Sequence, residues 1–199
     1  MPNTRFQAAT DTLRPLGFQL ASGACSLPQY LDAVADLLKA AIACHRVTVW
    51  LLQRAAPDAT LHCTAWSSFS RGLQIHRCAL SQAAVQAYLQ AVLDTGVLAV
   101  ADLREAPLLA ALNTAYCEPE QVLATLDAAF VVNGQAVGVV CCEQIGAVRD
   151  WTADERALLR SVAQTVTLDL ARLASGVQPG DDCSDDVRRL LLALHPPEG

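Results

Sequence analysis

The sequence predicts an α+β domain built on antiparallel strands. Three observations carry that expectation. Two long segments repeat apolar residues at helical spacing, and each opens with a capping-box pattern, Ser26 with Gln29 and Thr152 with Glu155. Asn133-Gly134 separates two apolar runs, the strongest short-range cue for a two-residue hairpin. The order helix, three strands, helix, strand, irregular segment, hairpin, long helix fits a mixed fold rather than an alternating parallel one.

In order along the chain, residues 27–42 form the first predicted helix, with Leu31, Val34, Leu37, Leu38, Ala41 and Ile42 as one apolar stripe. "RVTVWLLQ" follows as a buried strand. "TLHCTAWSSFSRGLQIHRC" reads as two strands around a Ser/Gly turn. Strict alternation on the first places Leu61, Cys63 and Ala65 on one face, and His62, Thr64 and Trp66 on the other. "SQAAVQAYLQAVLDTG" is a helix closed by Gly96, and "VLAVADL" is a short strand. "EAPLLAALNTAYCEPEQV" is helical or irregular and lies over one sheet face.

The hairpin allows a register. A two-residue turn sets Val132 opposite Gln135, Phe130 opposite Val137 and Ala128 opposite Val139. One face then carries Leu126, Ala128, Phe130, Val132, Val137, Val139 and Cys141. The other carries Thr125, Asp127, Ala129, Val131, Ala136, Gly138, Val140 and Cys142. The second face is rich in small residues and holds a carboxylate. The long helix from Thr152 to Gly176 presents Leu158, Leu159, Val162, Ala163, Val166, Leu170 and Leu173. "VQPGDDCS" is a linker, and a short amphipathic helix ends the chain with Val187, Leu190, Leu191 and Leu194 on one side.

Composition excludes several classes. At 199 residues, 53% hydrophobic and 17% charged, the chain is long and apolar enough for a proper core. Net charge is −6, Lys39 is the sole lysine and the arginines are scattered, which argues against nucleic acid as a partner. No apolar run reaches the roughly 18 residues of a membrane span. The N-terminus lacks the apolar core of a signal peptide, so a cytoplasmic location is expected. Eight cysteines occur with no C-x-x-C, a poor pattern for zinc. His62, Cys63, His76 and Cys78 do not make a metal site, because Cys63 faces away from the histidines on alternation; no metal is expected. No GxSxG, HExxH, P-loop or GxGxxG pattern is present, so an enzyme is the minority reading.

"VNGQAVGVVCCEQIGAVRDWTADERALLRSVAQTVTLDLA" resembles the closing segment of the GAF domain family. The matching positions are Gly134, Gly138-Val139, Glu143, Trp151-Thr152 and Glu155, and "VADLREAP" is similar to the family's central strand and following turn. The resemblance covers residues 27–174, leaving 1–26 as an N-terminal extension and 175–199 as a linker with a short C-terminal helix. It implies a GAF/PAS-like central antiparallel sheet of five or six strands. Terminal helices would cover one face, and a pocket under loops and short helices the other. It further implies a sensory module of signal transduction that binds an unidentified small molecule. A homodimer through the terminal helices and action in trans on a signalling partner are expected. No cofactor is assigned.

The subfamily motifs do not match. No asparagine precedes a lysine, as cyclic-nucleotide-binding members require, and the "G-V-C-G" stretch of members that reduce free methionine sulfoxide is absent. Cys44-His45 is similar to the bilin-attachment pair but stands at the start of the first core strand, the wrong place. A thiol-dependent reductase using Cys78 and Cys117, or a ligand-free interaction module docking through Val187–Leu194, are the alternatives.

Pocket candidates are Trp66, Phe69, Tyr88 and Tyr116 as aromatic walls, with Asp127 and Cys142 from the small-residue face of the hairpin. Asp127 stands among Ala129, Val131, Ala136 and Gly138 and must be satisfied by a partner. Which hairpin face lines the pocket stays open on the sequence.

Overall fold

The computed structural model describes residues 4–55, 58–68, 77–80, 82–176 and 185–194. Helix α1 spans Thr4–Ala21 and α2 spans Leu27–Ile42. Strands β1 (Arg46–Ala55), β2 (Asp58–Ser68) and β3 (Arg77–Leu80) follow, then α3 (Gln82–Thr95) and β4 (Leu98–Val100). Single turns occupy Leu103–Glu105, Pro107–Leu109, α4 (Ala110–Leu112) and Asn113–Cys117, the last a π-type turn. The hairpin is β5 (Val122–Val132) and β6 (Gln135–Ile145), followed by α5 (Ala153–Gly176) and α6 (Asp185–Leu194). The strands form one antiparallel sheet in the order β3-β2-β1-β6-β5-β4. The α+β expectation holds.

Both capping boxes form. Gln29 N–H donates to Ser26 Oγ at 3.4 Å while Gln29 Oε1 accepts from Ser26 N–H at 2.9 Å. Glu155 N–H donates to Thr152 Oγ1 at 3.2 Å while Glu155 Oε2 accepts from Thr152 N–H at 2.8 Å. Each satisfies two amides that a helix start leaves bare, worth about 1 kcal/mol. Asn133 and Gly134 have φ of 51° and 77°, the two positive angles a type I′ turn requires.

α1 is an element the sequence reading left as an extension. Its stripe of Ala9, Leu13, Leu16 and Leu20 is at helical spacing and packs into the core with α2 and α5. Pro15 lies inside it, which interrupts the pattern without ending the helix.

The two sheet faces differ in kind. α2, α5 and α6 cover one, with α1 packed against α2 and α5. There Val47, Val49 and Leu51 of β1 meet Leu31, Val34, Leu38, Leu159, Val162, Val166 and Leu190 in a largely apolar core. Leu190 of the α6 stripe is buried against the chain's own sheet, with Val187 packed beside the same core. The second face carries Trp50, Leu52, Leu61, Val139 and Cys141 under α3 and the turns from 103 to 117. Among the described residues, no helix is long and apolar enough to cross a membrane.

Two β-bulges correct the expected faces. In β6, Gly138 pairs with Phe130 and Ala136 with Val131, leaving Val137 as an extra residue. Asp127 therefore pairs with Cys141 in place of Val140, and Leu126 with Cys142 in place of Cys141. Val139 and Cys141 turn to the face of Asp127, while Val140 and Cys142 join the helix-side core. In β2, Trp50 pairs with Cys63 and Val49 with Ala65, so Thr64 is the extra residue. Leu61 and Cys63 share one face and Ala65 goes to the other. An extra residue inverts everything beyond it because the side-chain period of a strand is two.

Arg149 ties the chain's turns together. Its guanidinium donates to Ile42 O at 2.8 Å and Ala43 O at 3.1 Å, the carbonyls at the end of α2. It also donates to Glu155 at 2.7 Å and lies over the Trp151 ring at 4.5 Å. Trp151 Nε1 donates to Val100 O, anchoring the loop to β4.

Candidate functional site

The site stands at the middle of the sheet, on the face without long helices. β1 contributes Arg46, Thr48 and Trp50 by alternation, because Val47, Val49 and Leu51 fill the helix side. β6 contributes Val139, Cys141 and Glu143, and β5 contributes Thr125 and Asp127. α3 lays Tyr88 over them. The π-type turn, closed by Glu118 N–H donating to Asn113 O at 2.8 Å, aims Tyr116 and Cys117 at the sheet. Such turns recur at functional positions because the widened turn redirects side chains. Between them lies a cavity of about 20 Å³ whose wall includes Trp50, Tyr88, Leu112, Tyr116, Asp127 and Glu143.

Two polar networks meet there. Arg46, Asp127 and Glu143 are each 1% exposed. Arg46 Nε donates to Glu143 Oε2, Nη1 to Glu120 Oε2 at 2.9 Å, and Nη2 to the Tyr116 hydroxyl at 3.0 Å. Glu143 Oε1 accepts from Tyr116 Oη and from Thr48 Oγ1, both at 2.9 Å. Trp50 Nε1 donates in turn to Thr48 Oγ1 at 2.8 Å. Trp50 and Tyr116 meet edge to face at 5.1 Å and 86°. The Arg46 guanidinium lies 5.5 Å from the Tyr116 ring centre.

Among the described residues, the second network has no cation. Asp127 Oδ2 accepts from the Tyr88 hydroxyl at 2.9 Å, and Oδ1 accepts from Thr125 Oγ1. The Tyr88 hydroxyl and Cys141 Sγ are 3.5 Å apart. Burial pushes the Asp127 carboxyl up to about 7, against the pull of its hydroxyl donors. Burial also raises Glu143, although Arg46, Tyr116 and Thr48 act in the opposite sense. The Tyr88, Tyr116 and Cys141 groups are driven well above their ordinary values, by burial first and then by the neighbouring carboxylates. For Arg46, burial opposes the charge, and Glu143 more than offsets it.

Of the residues expected to line a pocket, Tyr88, Tyr116 and Asp127 come together here. Cys142 does not. It is buried on the helix side, hydrogen-bonded with the Cys44 thiol, because the Val137 bulge reverses its face. Trp66 pairs with Thr48 in the β1–β2 register, but its side chain lies outside the described residues, as does all of Phe69. Cys117 is on the cavity wall, and the Cys78 side chain is outside the described set. Cys44 belongs to the helix-side core, and His45 Nδ1 accepts from Ile145 N–H at 3.2 Å. Sequence reasoning missed Arg46, Thr48, Trp50, Thr125, Glu120 and Cys141 as site residues. Arg46 is the one with a visible signal, a charged residue opening an otherwise apolar strand.

Fold and site together define an α+β domain with a helical layer on one side of its sheet and, on the other, a small, mostly apolar cavity with Asp127 and Glu143 on its wall. The family model for the GAF domain matches residues 26–170, and the chain belongs to that family. Among solved structures, the blue-light absorbing form of the Thermosynechococcus elongatus PixJ GAF domain is similar over 71% of this chain and 83% of that one, at 21% identity and TM-score 0.60. The phycocyanobilin-bound GAF domain from a cyanobacterial phytochrome is similar over 86% of this chain and 98% of that one, at 14% identity and TM-score 0.68. Bacteriophytochrome RpBphP3 from R. palustris is similar over 87% of this chain and 38% of that longer one, at 17% identity and TM-score 0.66. At these identities the likeness is one of fold. No curated protein matches the chain significantly.

Proposed function

We propose that this chain is a small-molecule-binding sensory domain of signal transduction. Residues 27–174 are the sensing unit, and the ligand sits between the central strands and the roof made by α3 and residues 107–117. One observation carries this reading. Asp127 and Glu143 line a cavity of about 20 Å³ on the face covered by α3 and single turns, and both are buried, as is Arg46 beside Glu143. Burying charge is costly, and the opposite face of this sheet packs mainly apolar side chains, with Asp169 a buried acid there, hydrogen-bonded to Tyr30. Fold relatives add support, since one is a phycocyanobilin-bound GAF domain.

Signalling follows from the two-sided sheet. A ligand that moves the roof shifts Asp127, Cys141 and Glu143, whose strands carry α5 and α6 on their other face. The output is a population shift between two arrangements of a homodimer formed through α1 and α5. Phe18 on α1 and Leu168 on α5 are 71% and 57% exposed, apolar surface suited to such a contact. The dimer acts in trans on a signalling partner.

A second reading has its own support. The cavity holds about one water, so Tyr88, Tyr116 and Trp50 nearly fill it, as in an interaction module that needs no ligand. Native mass spectrometry of the reduced protein, repeated after denaturation, separates the two. The sensor reading expects a mass excess that denaturation removes. A clean apo mass, unchanged after incubation with a metabolite extract, favours the filled module.

A further inference from the structure

We propose that the cavity selects an organic cation, a primary or secondary ammonium whose charge lies against Asp127 and whose carbon skeleton lies against Trp50, Tyr88 and Tyr116. This rests on the ligand site proposed above and adds the chemical class. The first support is the distribution of charge. Asp127 and Glu143 stand on the cavity wall, and Arg46 is paired with Glu143 and Glu120, not with Asp127. Arg46 gives three of its N–H groups to these partners, with Nε on Glu143, Nη1 on Glu120 and Nη2 on Tyr116. Among the described residues, none of the ion pairs includes Asp127, whose partners are the hydroxyls of Thr125 and Tyr88 and the Cys141 thiol. A buried carboxylate without a cation is the group a ligand's ammonium would satisfy.

The second support is the wall. Trp50, Tyr88 and Tyr116 line the same space, and aromatic faces attract cations through the ring quadrupole. The site already uses that attraction once, with Arg46 over Tyr116. An incoming carboxylate would meet the carboxyl groups of Asp127 and Glu143 on the cavity wall, while Arg46 is engaged with Glu143, Glu120 and Tyr116. A neutral ligand would leave Asp127 as it is. The ammonium head, about the size of one water, fits the present cavity of about 20 Å³. The rest of the ligand enters as the roof at Leu112–Cys117 lifts, the part of the fold made of single turns.

Binding is linked to a proton. The groups facing Asp127 are Tyr88 from α3, Thr125 on its own strand, and Cys141 and Glu143 from β6, with uncharged Leu98 opposite on β4. Tyr88 and Cys141 titrate far above neutrality. With the carboxyl held near 7, a cation requires it to ionise, so affinity rises about tenfold from pH 6 to pH 8.

The test is calorimetric titration of the full chain with benzylammonium, benzyl alcohol and benzoate, which share one ring and differ in charge. The expected order at pH 8 is benzylammonium tightest, by about tenfold or more over benzyl alcohol, with benzoate weakest. Asp127→Asn keeps the side-chain shape and one carbonyl acceptor, its NH2 donating to the other hydroxyl, and is expected to bring benzylammonium down to the level of benzyl alcohol. The proposal is overturned if benzyl alcohol or benzoate binds as tightly in the unaltered chain, if the preference survives Asp127→Asn, or if none of the three binds. A neutral or acidic ligand found in the native mass spectrum overturns the cation assignment and leaves the sensor standing. A chain that takes no ligand at all removes both.

Discussion

Asp127 and Glu143 lie on one sheet face, each 1% exposed, and are satisfied in opposite ways. Glu143 has a guanidinium and two hydroxyls; Asp127 has only neutral donors. Two predictions follow at this scale. Arg46→Met leaves Glu143 buried without its cation and is expected to cost about 3–5 kcal/mol in denaturant melts. Adding Glu143→Gln to it should cost less than the sum of the two single changes, since the stranded charge is then gone. For Asp127 the sign comes from a folded value of about 7 against an ordinary 3.8. Below both values the carboxyl is protonated in either state and contributes nothing. Between about 4 and 7 the unfolded chain ionises first, so stability falls as pH rises, by up to about 4 kcal/mol. Asp127→Asn should therefore lose less stability than the unaltered chain between pH 4.5 and pH 7.5. Equal losses in the two proteins would refute this.

At the scale of elements, close approach and register decide what forms. A Cβ on Gly138 would stand 2.4 Å from Trp50 O, a backbone atom that moves only with its strand. Gly138→Ala is expected to cost about 1–3 kcal/mol and to disturb the β1–β6 pairing under the cavity. A Cβ on Gly17 would meet the Asp169 carboxylate at 2.5 Å, where Asp169 accepts from Tyr30 Oη at 2.8 Å. Gly17→Ala should loosen α1 from α5, seen as faster hydrogen exchange in residues 8–20 with β5 and β6 unchanged. Much at this scale was readable from the chain. The capping boxes at Ser26 and Thr152, the Asn133-Gly134 turn and the stripes of α2 and α5 are local signals, and all of them form. The bulges are less local. Gly138 beside Val137 is a legible hint, since a glycine inside a strand often marks one. Thr64 carries no such mark, and its extra residue is a fact of pairing with β1. Asp127 was readable as a buried carboxylate in need of a partner. Its company was not, because Tyr88 lies 39 residues away and the Arg46–Glu143 pair spans 97.

The whole molecule is a sheet with two unlike faces. One is an apolar helical layer that α1 and α6 complete; the other is a small polar interior under single turns. The proposed dimer uses the outer surface of the helical layer. Phe18→Asp combined with Leu168→Asp is expected to shift the chain toward monomer in sedimentation analysis, with little change in melting because both side chains are exposed. The central claim is that the interior beneath Tyr88 and Tyr116 receives a ligand. Leu112 is half-buried at its rim, so Leu112→Trp adds bulk there without crowding the sheet. The most direct test is native mass spectrometry of the unaltered chain beside this variant, each folded to the same melting curve. The account predicts a ligand mass on the unaltered chain and none on Leu112→Trp. A ligand mass retained in full by the variant, or absent from both, contradicts it.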